Sequence, residues 1–128
     1  MTPDPRRQAR SVLSGLREQP GQDMAAARGL QHDVLLVARL LAAAAAERDT
    51  DGQEPAVTEE QVAAALSLFD GMREALDRME TEVVFEARRR QMDWRQIAGH
   101  QGLNSSQAAS QRYQRLVTRL EEIRQGVR

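Results

Sequence analysis

Apolar side chains recur along this chain at steps of three and four, and nowhere alternate with polar ones in the two-residue period of a strand. Met24, Ala27, Leu30, Val34, Val37, Leu41 and Ala45 form one such stripe, predicting a helix over residues 23–48 with Asp23 as its N-cap. Within it, residues 42–46 are all alanine and allow a neighbouring helix to approach closely. Turn-forming residues then fill 49–55, which predicts a loop. Thr58 and Gln61 have the spacing of a capping box, in which each side chain satisfies an orphan backbone N–H at a helix start. Val62, Leu66, Phe69, Met72, Leu76, Met79 and Val83 follow, predicting a second helix that reaches residue 90 and extends about 45 Å. Gly71 is its weak point. The segment before all this, residues 1–22, is broken by Pro3, Pro5, Gly15, Pro20 and Gly21 and predicts a mobile arm with one helical turn around residues 11–18.

Composition agrees with the periodicity. Alanine, leucine, arginine, glutamine and glutamate dominate the 128 residues, and aromatic residues make up only 3%. These are helix formers, so the fold class expected is all-α: long antiparallel helices followed by a C-terminal tri-helical unit. The length suits one domain with a modest core. A thirty-residue helix against a shorter one presents more apolar stripe than the pair can cover. Either a second copy of the chain covers the excess, giving a homodimer, or the C-terminal helices fold back over it.

The chemistry available is narrow. There is no cysteine, hence no disulfide and no thiolate metal site, and the only histidines, His32 and His100, lie in no paired metal-ligand spacing. His32, beside Asp33, reads as structural and His100 as a surface residue. No phosphate-cradling glycine loop or nucleophile–base pair is visible, so catalytic residues, cofactors and metal ligands are all expected to be absent and an enzyme is not expected. The start, Met-Thr-Pro-Asp-Pro, has no apolar run of signal-peptide type, and uninterrupted apolar stretches are short, so a cytoplasmic protein without a membrane role is expected.

The formal net charge of −1 conceals an asymmetry. Residues 1–85 carry nine arginines against fifteen acids, a balance of −6; residues 86–128 carry nine arginines against Glu86, Asp93, Glu121 and Glu122, a balance of +5. All eighteen basic side chains are arginine. A basic end on an acidic body attracts a polyanion from one side.

That basic end holds the most informative segment, residues 93–116, which read DWRQIAGHQGLNSSQAASQRYQRL. Asp93 is placed to cap a short helix bearing Trp94, Ile97 and Ala98; Gly102 follows where a sharp turn needs a positive φ. A last helix carries Ala109, Tyr113, Leu116, Leu120 and Ile123 on one side. Taking Ala109 rather than Ala108 as its buried residue avoids burying Arg112 and Arg115 together, and makes Ser105 the N-cap. Two helices joined in this way form a helix-turn-helix, with Ala98 small enough to let them cross closely and Trp94 and Tyr113 in the core of the unit.

The segment resembles the C-terminal helix-turn-helix of small actinobacterial transcriptional regulators and is similar to the DNA-binding region 4 of sigma factors. The resemblance covers about a fifth of the chain and rests on Ile97, Ala98, Gly102 and Leu103. Gln101 departs from it, standing where the family usually places an apolar residue.

The resemblance implies that the helix from Ser105 onward enters the major groove of double-stranded DNA. Ser106, Gln107, Ser110, Gln111 and Gln114 share the face away from Ala109 and are expected to meet base edges. Arg95, Arg112 and Arg115 flank that face and are expected on phosphates. Residues 88–90, three arginines, complement the dipole of the long helix and are placed to reach a phosphate too. Arg6, Arg7 and Arg10 in the arm are either solvated or touch the duplex. The domain plan is therefore an arm over 1–22, a helical dimerisation region over 23–85 and a DNA-binding region over 86–128. The function expected is a dimeric, nucleoid-associated bacterial transcriptional regulator. The competing expectation is a helical interaction module that binds polymerase, a sigma factor or another transcription protein without reading DNA.

Overall fold

The computed structural model describes residues 4–50 and 55–126, and every regular element among them is a helix. There are five: α1 Pro5–Leu13, α2 Gln22–Arg48, α3 Glu59–Arg89, α4 Trp94–Gln101 and α5 Ser106–Arg124. The all-α expectation stands. Of the loop expected over 49–55, residues 51–54 lie outside the described part.

α1 begins earlier than the expected turn around residues 11–18. Asp4 caps it by accepting from the Arg6 N–H at 3.0 Å, and Pro5 takes the first helical position, where its missing N–H costs nothing. Every residue of α1 is exposed, including Val12 and Leu13. α2 also starts differently. Its N-cap is Gly21 with no side-chain cap, while Asp23 lies in the first turn, where its charge faces the positive end of the helix dipole. At the other end, Glu47 accepts from the Val57 N–H at 3.0 Å and ties α2 to the start of α3.

α3 opens on the capping box as expected: Thr58 Oγ1 accepts from the Gln61 N–H at 3.1 Å, and Gln61 Oε1 accepts from the Thr58 N–H at 2.9 Å. The helix runs unbroken through Gly71 for 31 residues. Asp23, Leu30 and Asp33 share a groove with Gly71, Met72, Ala75 and Met79, whereas Leu36, Leu40 and Ala43 share one with Ala56, Ala64 and Leu68. The two helices thus lie alongside each other.

Their stripes needed correcting. Val34 and Leu41 on α2, and Val62, Leu66, Leu76 and Val83 on α3, were expected in the core and are exposed. Leu30 and Val37 on α2 and Met72 and Met79 on α3 are covered as expected, and they are joined by Leu40 and Ala44 on α2 and by Ala65, Leu68 and Ala75 on α3. Each helix carries two apolar stripes side by side, and one partner helix covers one of them.

By length and composition α2 is apolar enough to cross a membrane, with a mean hydropathy of 1.3 over its best window and none of that window buried. The sequence expectation considered only uninterrupted apolar runs; Asp33 and Arg39 interrupt this one.

The densest packing is at the C-terminal end. Val84 of α3, Ile97 and Ala98 of α4 and Ala109 of α5 form a buried cluster, against which Ala87, Met92, Trp94, Leu103 and Tyr113 pack. The Trp94 and Tyr113 rings meet at 5.8 Å between centroids, tilted by 44°.

Candidate nucleic-acid interface

Local chemistry places α4 and α5. Asp93 and Gln96 form a second capping box, at 2.8 and 2.9 Å. α4 ends where Gly102 adopts φ 73°, a left-handed conformation that glycine reaches without a Cβ penalty. The Leu103 N–H then donates to the Ala98 carbonyl at 2.8 Å and the Gly102 N–H to the Gly99 carbonyl at 3.3 Å, the paired bonds of a Schellman motif. Leu103 folds back onto the cluster. Ser105 caps α5, its Oγ accepting from the Ala108 N–H at 3.1 Å.

The same motif ends α3. The Met92 N–H donates to the Ala87 carbonyl at 3.0 Å, the Gln91 N–H donates to the Arg88 carbonyl at 2.9 Å, and Gln91 takes φ 66°. Here a side chain occupies the position that favours glycine.

Ala109 is 1% exposed while Ala108 is only half-buried, so the inner face of α5 follows the register expected. Leu116 is buried below it and Tyr113, Leu120 and Ile123 are half-buried. On the opposite face Ser106, Gln107, Gln111 and Gln114 are exposed and Ser110 is half-buried. Five of the eight expected contact residues therefore lie on one open, uncharged polar strip next to a helix N-terminus.

The arginines divide. Arg95 and Arg115 are exposed and have no ion-pair partner among the described residues. Arg112 was expected on a phosphate but is turned toward α3, where its Nη2 lies 2.8 Å from Glu80 Oε1 and its Nε donates to Oε2. This two-pronged pair holds the Glu80 carboxyl below its ordinary range, chiefly through the hydrogen bond, against a smaller opposing effect of burial. Gln101 Nε2 donates to the same Glu80 oxygen at 3.2 Å. The residue that departs from the regulator pattern thus joins a polar tie between α3, α4 and α5. Its Oε1 is buried and has no hydrogen-bond partner among the described residues.

The other described arginines of the basic end are also engaged. Arg89 and Arg90 both bind Glu86, whose pKa falls to about 2 through these hydrogen bonds. Arg119 lies 3.6 Å from Asp77, and Arg124 pairs with Glu121. Arg88 stacks over Trp94 at 4.9 Å and donates to the Met92 carbonyl at 3.1 Å. Its first role is therefore to close the α3–α4 turn.

Glu80, Asp77 and Arg119 escaped the sequence reading. Glu80 and Arg112 are 32 positions apart, and no local spacing links them. The groove above this tie, about 780 Å³ and open to solvent, is lined by Val83, Val84, Ala87, Met92, Ile97 and Leu103 together with the polar trio and His100. Among the described residues no group of His, Asp and Glu is arranged to hold a metal ion. Comparison with family models, curated proteins and solved structures finds no match to the chain.

Proposed function

We propose that this chain is a sequence-specific double-stranded DNA-binding transcriptional regulator, acting as a homodimer in the bacterial cytoplasm. In this reading α2 and α3 are a long antiparallel hairpin, and the end of α3 with α4 and α5 is a tri-helical helix-turn-helix unit. The observation that carries it is the polar strip of α5, Ser106, Gln107, Ser110, Gln111 and Gln114, held outward beside a capped N-terminus by the close Ala98–Ala109 crossing. Glutamine amides bridge adenine N6 and N7, and serine hydroxyls accept from or donate to most base edges. Arg95 and Arg115 flank the strip and supply phosphate contacts; Arg112 serves to fix the angle of α5 on α3.

A second reading is an interaction module for polymerase, a sigma factor or a related protein. The engagement of Arg89, Arg90, Arg112, Arg119 and Arg124 by carboxylates favours it, because less unpaired cationic charge remains to meet phosphates.

Fluorescence anisotropy of labelled mixed-sequence duplex, titrated at two salt concentrations, separates the two. DNA binding gives an affinity that falls steeply with salt, with a log–log slope of about −0.9 per phosphate neutralised. Gln107→Ala/Arg115→Ala, which leaves the Glu80 tie intact, then loses affinity. Absence of binding by the unmodified protein at low salt overturns the DNA reading.

A further inference from the structure

We infer that a second copy of this chain covers one particular face of the α2–α3 pair, completing a four-helix bundle. This deepens the reading above by identifying the surface through which the copies meet.

α3 carries two stripes of heptad spacing. One, Ala65, Leu68, Met72, Ala75 and Met79, faces α2. The other runs Val62, Leu66, Phe69, Arg73, Leu76, Glu80 and Val83, in strict alternating steps of four and three. In this second stripe Val62, Leu66, Leu76 and Val83 are between 42% and 68% exposed. Arg73 lies over the Phe69 ring at 5.7 Å, and Glu80 is turned away to Arg112. α2 also has a second stripe, Val34, Ala38, Leu41 and Ala45, in which Val34 is 50% and Leu41 is 61% exposed.

The two open stripes lie on the same side. At about 100° per residue, each sits roughly 90° from the stripe that faces the other helix, displaced in the same sense when viewed from its own N-terminus. The helices run in opposite directions, as the pairing of Asp23 and Asp33 with Gly71–Met79 positions and of Leu40 and Ala43 with Ala64 and Leu68 requires. Equal-sense offsets on antiparallel helices point to one face. The hairpin therefore presents a flat, two-helix apolar surface with two parallel seams.

The accessible area leaves room for a cover of this size. The chain exposes 10815 Å². A folded monomer of its 14.3 kDa exposes roughly 6,800 Å². The excess of about 4,000 Å² is shared between the wholly exposed residues 4–20 and the open face of the hairpin, and the ~800 Å² that each partner contributes to a stable interface is a fraction of it. A second hairpin of equal length with two seams at the same spacing matches this face, and the chain itself is such a hairpin. Stacked through a two-fold axis, the copies bury like against like, in the knobs-into-holes geometry of four-helix bundles.

Light scattering coupled to size exclusion tests this on the full chain without DNA, so its outcome is independent of the DNA reading. The unmodified protein is expected at twice 14.3 kDa. Leu66→Glu/Leu76→Glu places charge on the open seam and gives a monomer; Leu35→Glu, 57% exposed but on another side of α2, leaves the dimer intact. Should the double variant lose its helical circular dichroism, thiol accessibility supplies the readout, since the chain has no cysteine of its own. The thiol of Leu66→Cys is expected to react at least tenfold more slowly than that of Leu35→Cys at high protein concentration, and equally fast on dilution. A monomer at tens of micromolar overturns the inference, whether the protein stays in solution or floats with anionic vesicles through α2. A dimer that survives the folded double variant overturns it as well, as do equal thiol rates at every concentration.

Discussion

Arg112 and Glu80 form a two-pronged ion pair between α5 and α3, at side-chain exposures of 42% and 31%. The pair ties α5, which bears the polar strip, to α3, and Gln101 of α4 joins it. Glu80→Gln keeps the shape and removes the charge, so a loss of about 1 kcal/mol is expected, a value typical of a partly solvated pair of good geometry. The pH dependence has a definite sign. The folded-state pKa of Glu80 is lowered, so its contribution is present above the carboxylate's unfolded pKa and is lost as pH falls through the folded one. Thermal unfolding from pH 7 down to pH 3 should show the acid-side decline, and Glu80→Gln should flatten it.

Glu82 behaves in the opposite way. Burial raises its pKa, and Asp23, across from it at the start of α2, adds to the effect by hydrogen bonding and like charge. A carboxyl with a raised folded-state pKa favours the fold when protonated and loses that contribution as pH rises through the folded value. Glu82→Gln is therefore expected to raise the melting temperature at pH 7, with the gain fading below pH 4. An equal gain at both values would show that the charge is not its cause.

Gln91 holds φ 66° at the end of α3, where a Cβ is disfavoured by about 1–2 kcal/mol. Gln91→Gly removes that cost and adds some backbone entropy to the unfolded chain. A net stabilisation of about 0.5–1 kcal/mol is expected in denaturant unfolding. Gln91→Ala, which keeps the Cβ, should not reproduce it.

Ala109 is 1% exposed where α5 crosses Ala98. Ala109→Leu forces the helices apart and is expected to cost about 1–3 kcal/mol. Because the damage is confined to the C-terminal unit, duplex affinity should fall while the mass by light scattering stays unchanged. Ala108→Leu, one residue away and half-buried, should have a markedly smaller effect on both unfolding and affinity.

Much of this architecture was legible locally. Thr58 with Gln61, Asp93 as the cap of α4, Gly102 in its left-handed turn and Ser105 as the cap of α5 depend on contacts between residues three to five apart. Such contacts are spelled out by spacing alone. The same holds for Ala109 over Ala108, because two arginines at neighbouring turns made the alternative register costly. α1 and the Gly21 cap were misplaced for the converse reason: several polar and small residues there compete for the same role, and α1, exposed along its whole length, has no buried face to select one.

By itself, then, the sequence determined that the chain is helical, where its C-terminal helices start and turn, and that Ser106, Gln107, Ser110, Gln111 and Gln114 share one face of α5. Tertiary structure alone decided which members of the apolar stripes of α2 and α3 are covered, and that Arg112 is spent on Glu80 while Arg95 and Arg115 have no ion-pair partner among the described residues. The physical reason is one of range. Periodicity shows that a helix face is apolar or charged, but a helix with two such faces needs a neighbour to break the tie, and that neighbour comes from a distant part of the chain.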